Sequence, residues 1–191
     1  MKNLIIYAHP NEKSFNSAIL KTVIEALNSK NEDYKLIDSY KENFKPTLDI
    51  SDFSKMAEKT YSDDVKRYQQ MIKESERLIF IYPTWWWSYP AILKGFIDRV
   101  FSYGFAYRYN NGKIEGLLNQ KALIFTTTGG TKEVYDGYKI NEIITRQIKE
   151  GVLGFCGIKE ITMKIFYAVP TVDNSTREKY LKEVKEIINQ N

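Results

Sequence analysis

The chain has 191 residues, 43% hydrophobic and 27% charged, with a formal net charge of +4. Such a length and balance describe one globular domain, residues 1–191, and the interleaved lysines and acids give no footprint for nucleic acid. A single cysteine, Cys156, and a single histidine, His9, exclude a disulfide framework, a Cys-rich metal site and a multi-His metal site, so no metal is expected.

In chain order, residues 3–8 form an apolar run that reads as a buried strand. It breaks at His9-Pro10, too early for a signal peptide, and no later run reaches membrane-spanning length, so a cytoplasmic protein without membrane insertion is expected. Residues 16–27 carry apolar side chains at 19, 20, 23, 24 and 27, a helical period. Residues 34–38 read as a second strand, and 40–59 as a polar connection holding Pro46. A helix is predicted over 63–74, with Asp63 and Asp64 suited to its positive end. A third strand follows at 77–82, and a helix over 90–101 has Pro90 in its first turn. Residues 104–120 read as an irregular aromatic loop and 121–127 as the fourth strand. A helix over 139–151, a fifth strand over 160–166 and a closing helix over 175–189 complete the chain. Strands alternating with helices argue for an α/β fold, a parallel sheet covered on both faces.

In such sheets ligands sit beyond the carboxyl ends of the strands. The unusual residues of this chain fall there. After the first strand comes a loop with His9, Ser14, Phe15, Asn16 and Ser17. Its polar groups at a helix start suit an anion, and they equally suit ordinary helix capping. The Gly-rich patterns of triphosphate and dinucleotide loops are absent from it. After the third strand stand Pro83, Thr84, Trp85, Trp86 and Trp87, which include every tryptophan of the chain. Three consecutive large rings cannot all face one side, so at least one is expected to line an open site for a flat ligand, while others pack as core. After the fourth strand, Thr127, Thr128, Gly129 and Gly130 offer backbone N–H groups without nearby Cβ atoms, or simply a flexible turn. A phosphate seat, an aromatic wall and close backbone donors together suit flavin mononucleotide. Cys156, in Gly-Phe-Cys-Gly, reads as a small core residue.

These segments, with Asp38-Ser39-Tyr40, Phe44-Lys45-Pro46, Pro90-Ala91-Ile92-Leu93-Lys94-Gly95 and Phe155-Cys156-Gly157, make the chain similar to the flavodoxin-like NAD(P)H:quinone oxidoreductases. That group includes mammalian quinone reductase, bacterial modulators of drug activity and an ancillary protein of potassium efflux. The resemblance implies a flavodoxin-like three-layer sandwich with five strands in the order 2-1-3-4-5. It implies FMN, with FAD as the second choice, NAD(P)H as electron donor, and a quinone or similar flat acceptor reduced by two electrons in a ping-pong cycle. By resemblance, His9, Ser14, Phe15 and Asn16 hold phosphate and ribityl groups. Pro83 to Trp87 contact the isoalloxazine, and Thr127, Thr128, Gly129, Gly130 and Tyr135 serve its pyrimidine side. Gly129, Gly130 and Tyr135 are then the groups that stabilise charge on the reduced ring. Trp86, Trp87, Tyr107 and Tyr109 line the acceptor pocket, the two tyrosines reaching a partner subunit of a homodimer. Asn141 stands where mammalian relatives carry a histidine, so a tyrosine–histidine relay is not available. Nitro- or azo-compound reduction with the same cofactor, a one-electron carrier and a regulatory subunit of a transporter are the alternative functions. A phospho-receiver domain would need acids where His9-Pro10-Asn11 stands.

Overall fold

A computed structural model describes every residue except Lys59. Its main sheet is fully parallel and five-stranded: β1 (Asn3–Tyr7), β2 (Tyr34–Asp38), β3 (Arg77–Pro83), β6 (Lys121–Thr127) and β7 (Ile161–Phe166). The spatial order is β2-β1-β3-β6-β7, the expected 2-1-3-4-5 once the strands outside this sheet are set aside. Those two, β4 (Tyr107–Asn110) and β5 (Lys113–Gly116), form a separate antiparallel hairpin. Among the described residues, seven α-helices complete the fold: α1 (Phe15–Ser29), α2 (Ile50–Glu58), α3 (Asp63–Lys73), α4 (Ala91–Val100), α5 (Lys132–Gly137), α6 (Ile140–Ile148) and α7 (Asn174–Gln190).

Alternation along the strands divides the core between two faces. Ile5, Tyr7, Ile79, Ile81, Leu123 and Phe125 pack against α1 and α7 through Ile19, Val23, Leu27, Val184 and Ile188. Leu4, Ile6, Leu78, Phe80 and Ile124 pack against α3 and α4 through Tyr68, Ile72, Leu93 and Phe96. Both faces are therefore buried, which is why β1 and β3 run apolar after their first residues, Asn3 and Arg77. Gly95 is needed for this packing: a Cβ there would drive into the Pro46 backbone, so α4 seats directly on the 40–49 connection.

Several predicted elements are revised. The connection at 40–59 contains α2, although its last residue, Lys59, lies outside the described residues. The reason is inverted patterning: Asp52 faces inward to the buried Arg99 at 3.3 Å, while Ile50 and Phe53 face solvent. The aromatic loop at 104–120 holds the β4–β5 hairpin, turned by Asn111 (φ 50°) and Gly112 (φ 75°). Pro90 precedes α4 as its N-cap instead of opening it. The helix predicted over 139–151 is α6 followed by a π-helical turn, Lys149–Gly154. Helix α5 is additional, started by the Thr131 side chain, which accepts from the Val134 N–H. Cys156 is buried in the core, and burial pushes its thiol up to about 11.

Candidate active site

The parallel register brings β1, β3 and β6 to a common level, with Tyr7 opposite Ile81 and Pro83 opposite Thr127. The three loops leaving these strands are stitched together. The Thr84 N–H donates to the Thr127 carbonyl at 2.7 Å, and the Thr84 and Thr126 hydroxyls pair at 2.9 Å. Asn16 Nδ2, from the first turn of α1, donates to Thr127 Oγ1 at 2.8 Å. The third loop is tied to the end of β7: Ala168 N–H donates to the Gly130 carbonyl at 2.9 Å and Val169 N–H to that of Thr128 at 3.0 Å.

Between these loops lies a cleft of about 670 Å³, within the range of small-molecule and cofactor sites. His9, Ser14, Phe15 and Asn16 line it from the first loop, Pro83, Thr84, Trp85 and Trp86 from the second, and Thr127, Thr128 and Gly129 from the third. Sequence reasoning missed Val169, Pro170 and Arg177 on the far wall. Arg177 comes from the first turn of α7, tied to the Val169 carbonyl at 3.2 Å, and no local motif marks it.

Ser14 caps α1, accepting from the Ser17 N–H at 3.1 Å. The capping reading of this loop is therefore realised, and it leaves the helix's positive end at the cleft. Asn16 keeps one buried atom, Oδ1, without a protein partner. Burial lowers the His9 pKa, and its Nδ1 accepts from the Asn11 N–H at 3.0 Å. The imidazole is thereby the neutral tautomer with its proton on Nε2, a donor.

The tryptophans form a two-residue turn closed by reciprocal bonds, Trp85 N–H to the Ser88 carbonyl at 2.8 Å and Ser88 N–H to that of Trp85 at 3.0 Å. Its corners, Trp86 (φ 51°) and Trp87 (φ 56°), are both left-handed. That conformation favours Asn-Gly and costs bulky residues about 1–2 kcal/mol each. Trp86 is 99% exposed, and Trp85 and Trp87 remain 42% and 47% exposed, so none of the three is a core residue. Trp85 leans on His9, ring centroids 5.9 Å apart.

The two glycines differ. A Cβ on Gly129 would meet nothing within 4 Å, whereas one on Gly130 would come within 2.9 Å of the Tyr135 ring. Gly129 therefore opens on the cleft, and Gly130 makes room for Tyr135. Burial raises the Tyr135 phenol above its ordinary range. Gly130, Tyr135 and Trp87 do not line the cleft themselves. Ser17 lines a neighbouring hollow with Tyr7, Lys13 and Lys41. Tyr107 lines a third hollow, with Tyr89 and Phe155. Exposed Tyr109 stacks on Tyr103 at 6.2 Å. Among the described residues there is no metal-binding cluster and no helix long and apolar enough to cross a membrane.

This architecture defines a flavodoxin-like protein. A family model described as a flavodoxin-like fold matches residues 1–188, and the chain belongs to that family, among the NAD(P)H oxidoreductases and quinone reductases. It is 31% identical over 180 residues to an uncharacterized NAD(P)H oxidoreductase of Haemophilus influenzae, covering 93% of this chain and 89% of the relative. A mouse protein named ribosyldihydronicotinamide dehydrogenase [quinone] is 31% identical over 201 residues, with 93% and 86% covered. The solved structure of an NAD(P)H:quinone oxidoreductase from Methanothermobacter marburgensis superposes with a TM-score of 0.85 at 32% identity, covering 98% of this chain and 95% of that one.

Proposed function

We propose that this chain is a flavin-dependent NAD(P)H:quinone oxidoreductase whose residues 1–191 act as one flavin-binding unit. The observation that carries the reading is the meeting of three features in one cleft: a capped helix N-terminus, an aromatic wall and an open glycine backbone. The residues fit the cofactor. The first turn of α1, with Ser14 and Asn16, would hold phosphate and ribityl hydroxyls, and a hydroxyl would satisfy the unpaired Asn16 Oδ1. His9 adds a neutral N–H donor. Trp85 and Trp86 supply the planar wall, and the open Gly129 backbone lets a ring edge approach its N–H closely. Trp87 extends the wall toward the acceptor.

When bound, the flavin supplies the two-electron chemistry between NAD(P)H and a flat, quinone-like acceptor. The protein's task is orientation and charge stabilisation. The Gly129 N–H would face developing negative charge at the cleft, with Gly130 and Tyr135, a neutral phenol, supporting it from behind. FMN is the proposed cofactor. An FAD adenosine half would find its walls at Val169 and Pro170 and a cation at Arg177. Tyr107 and Tyr109, on the exposed hairpin, would complete the acceptor pocket of a second copy in a homodimer.

The test is an absorbance spectrum of the purified protein, mass spectrometry of what heat releases, and NAD(P)H oxidation with a quinone added. Flavin bands, an FMN mass and quinone-dependent turnover are expected. A colourless protein that takes up neither FMN nor FAD overturns the reading.

A further inference from the structure

Both ends of the Asn141 amide are hydrogen-bonded. The Tyr167 hydroxyl donates to Asn141 Oδ1 at 2.8 Å, and Asn141 Nδ2 donates to Asp136, which is held in turn by Lys132. A phenol has one proton, so this bond fixes the Tyr167 hydroxyl in one orientation. The Tyr167 ring stands edge-on to Tyr135, centroids 5.8 Å apart at 76°. Tyr135 in turn fills the space under Gly130. One residue beyond Tyr167, Ala168 takes a left-handed conformation (φ 51°) and donates its N–H to the Gly130 carbonyl. Two links therefore run from residues 167–168 to the glycine loop, one through a ring and one through the backbone.

We infer that Asn141 and Tyr167 are positioning residues for the Gly129–Gly130 seat: the amide locks the Tyr167 hydroxyl, the Tyr167 ring locks Tyr135, and Tyr135 fixes the loop that opens on the cleft. This inference rests on the flavin reading of that cleft. An amide suits the task because it accepts from Tyr167 and donates to Asp136 at once, and it does not titrate. The ionisable groups around Tyr167 are Lys132, Asp136 and Tyr135 of α5, and Tyr180 of α7, whose hydroxyl bonds the Tyr167 carbonyl at 3.2 Å. Burial holds the Tyr167 phenol above its ordinary range, so it remains a neutral donor. The brace is thus unchanged across the pH range in which a histidine would change charge.

The experiment titrates the unaltered chain and three variants with FMN and, separately, FAD, and records the visible circular dichroism of the bound flavin. Tyr167→Phe, which keeps the ring, and Asn141→Leu are expected to weaken flavin binding roughly three- to tenfold, the scale of one lost hydrogen bond, and to change the dichroic band. Asn141→His is expected to restore affinity at pH 8, where a neutral imidazole accepts from Tyr167. It should lose that gain below about pH 6.5, where the imidazolium cannot accept. The unaltered chain shares His9 and serves as the reference for that added inflection. Variants that bind flavin with unaltered affinity, spectrum and pH profile overturn the inference. Should Asn141→Leu not fold, Tyr167→Phe and Asn141→His decide the matter. An unaltered chain that binds neither flavin overturns the cofactor reading itself, and this inference with it.

Discussion

The two ends of the parallel sheet handle buried polarity in opposite ways. At the amino end of the strands, Arg77, 3% exposed, donates to Asn3 at 2.7 Å and to Glu32 at 2.8 Å. Glu32, 6% exposed, also takes Lys2 at 2.6 Å and Lys30 at 3.2 Å, leaving only Arg77 Nη1 unpaired in the cluster. At the carboxyl end, Asn16 Oδ1 and the Tyr7 hydroxyl are buried without partners, and two tryptophans hold left-handed backbones in solvent. One end uses charge to complete the protein; the other keeps polar groups and aromatic surface unspent. Unsatisfied groups and strain mark the working end more clearly than charge does.

Perturbing each end separately breaks or sharpens this contrast. The largest effect is expected from Glu32→Gln, which strands the buried Arg77 charge. Urea unfolding should show a loss of about 3–5 kcal/mol, with flavin affinity, once corrected for unfolded protein, unchanged. Next, Gly129→Val should cut flavin binding at least about 100-fold, about 2.7 kcal/mol. Its urea midpoint should stay close to that of the unaltered chain, because a Cβ at this position meets no protein atom within 4 Å. Replacing Trp86-Trp87 by Asn-Gly should stabilise the fold by about 2 kcal/mol while lowering quinone turnover; a fall in stability would remove strain from the account of that turn. Ser14→Ala, which deletes the α1 cap, should cost about 1 kcal/mol and weaken phosphate-bearing ligands together with it.

The same contrast has a pH signature. Burial opposes ionisation of Glu32, but hydrogen bonds from Lys2, Asn3 and Lys30 and the charge of Arg77 outweigh it and lower the carboxyl to about 2. A carboxyl depressed in the folded state stabilises fully above its ordinary value near 4.5 and loses that contribution as pH falls toward 2. Acid unfolding followed between pH 5 and 2 should therefore be flatter in Glu32→Gln than in the unaltered chain.

Much of this molecule is legible in the sequence where burial is two-sided. β6 falls on the predicted residues and β1 and β3 lie within one residue of them, and the three loops meet at one cleft because parallel strands end at one level. The misses share a cause. Helix α2 carries its apolar residues outward and its acid inward, because the partner it needs, Arg99, arrives from α4, some 47 residues later. The β4–β5 hairpin is exposed and has no buried face to set a period, although Asn111-Gly112 was a readable turn signal. Arg177 reaches the cleft only through the packing of α7. The separate duties of Gly129 and Gly130 depend on where the Tyr135 ring lies, and neighbouring glycines look alike until that ring is placed.

The tryptophan turn also decides how this protein can be watched. Every indole in the chain sits within three consecutive residues beside the cleft. Its intrinsic emission is consequently a local probe. A flat chromophore settling on that wall should quench most of the signal at once, giving a titration without any label. A thermal scan read at the same wavelength will follow the turn instead of the sheet, whose buried strands carry tyrosine and phenylalanine and no tryptophan.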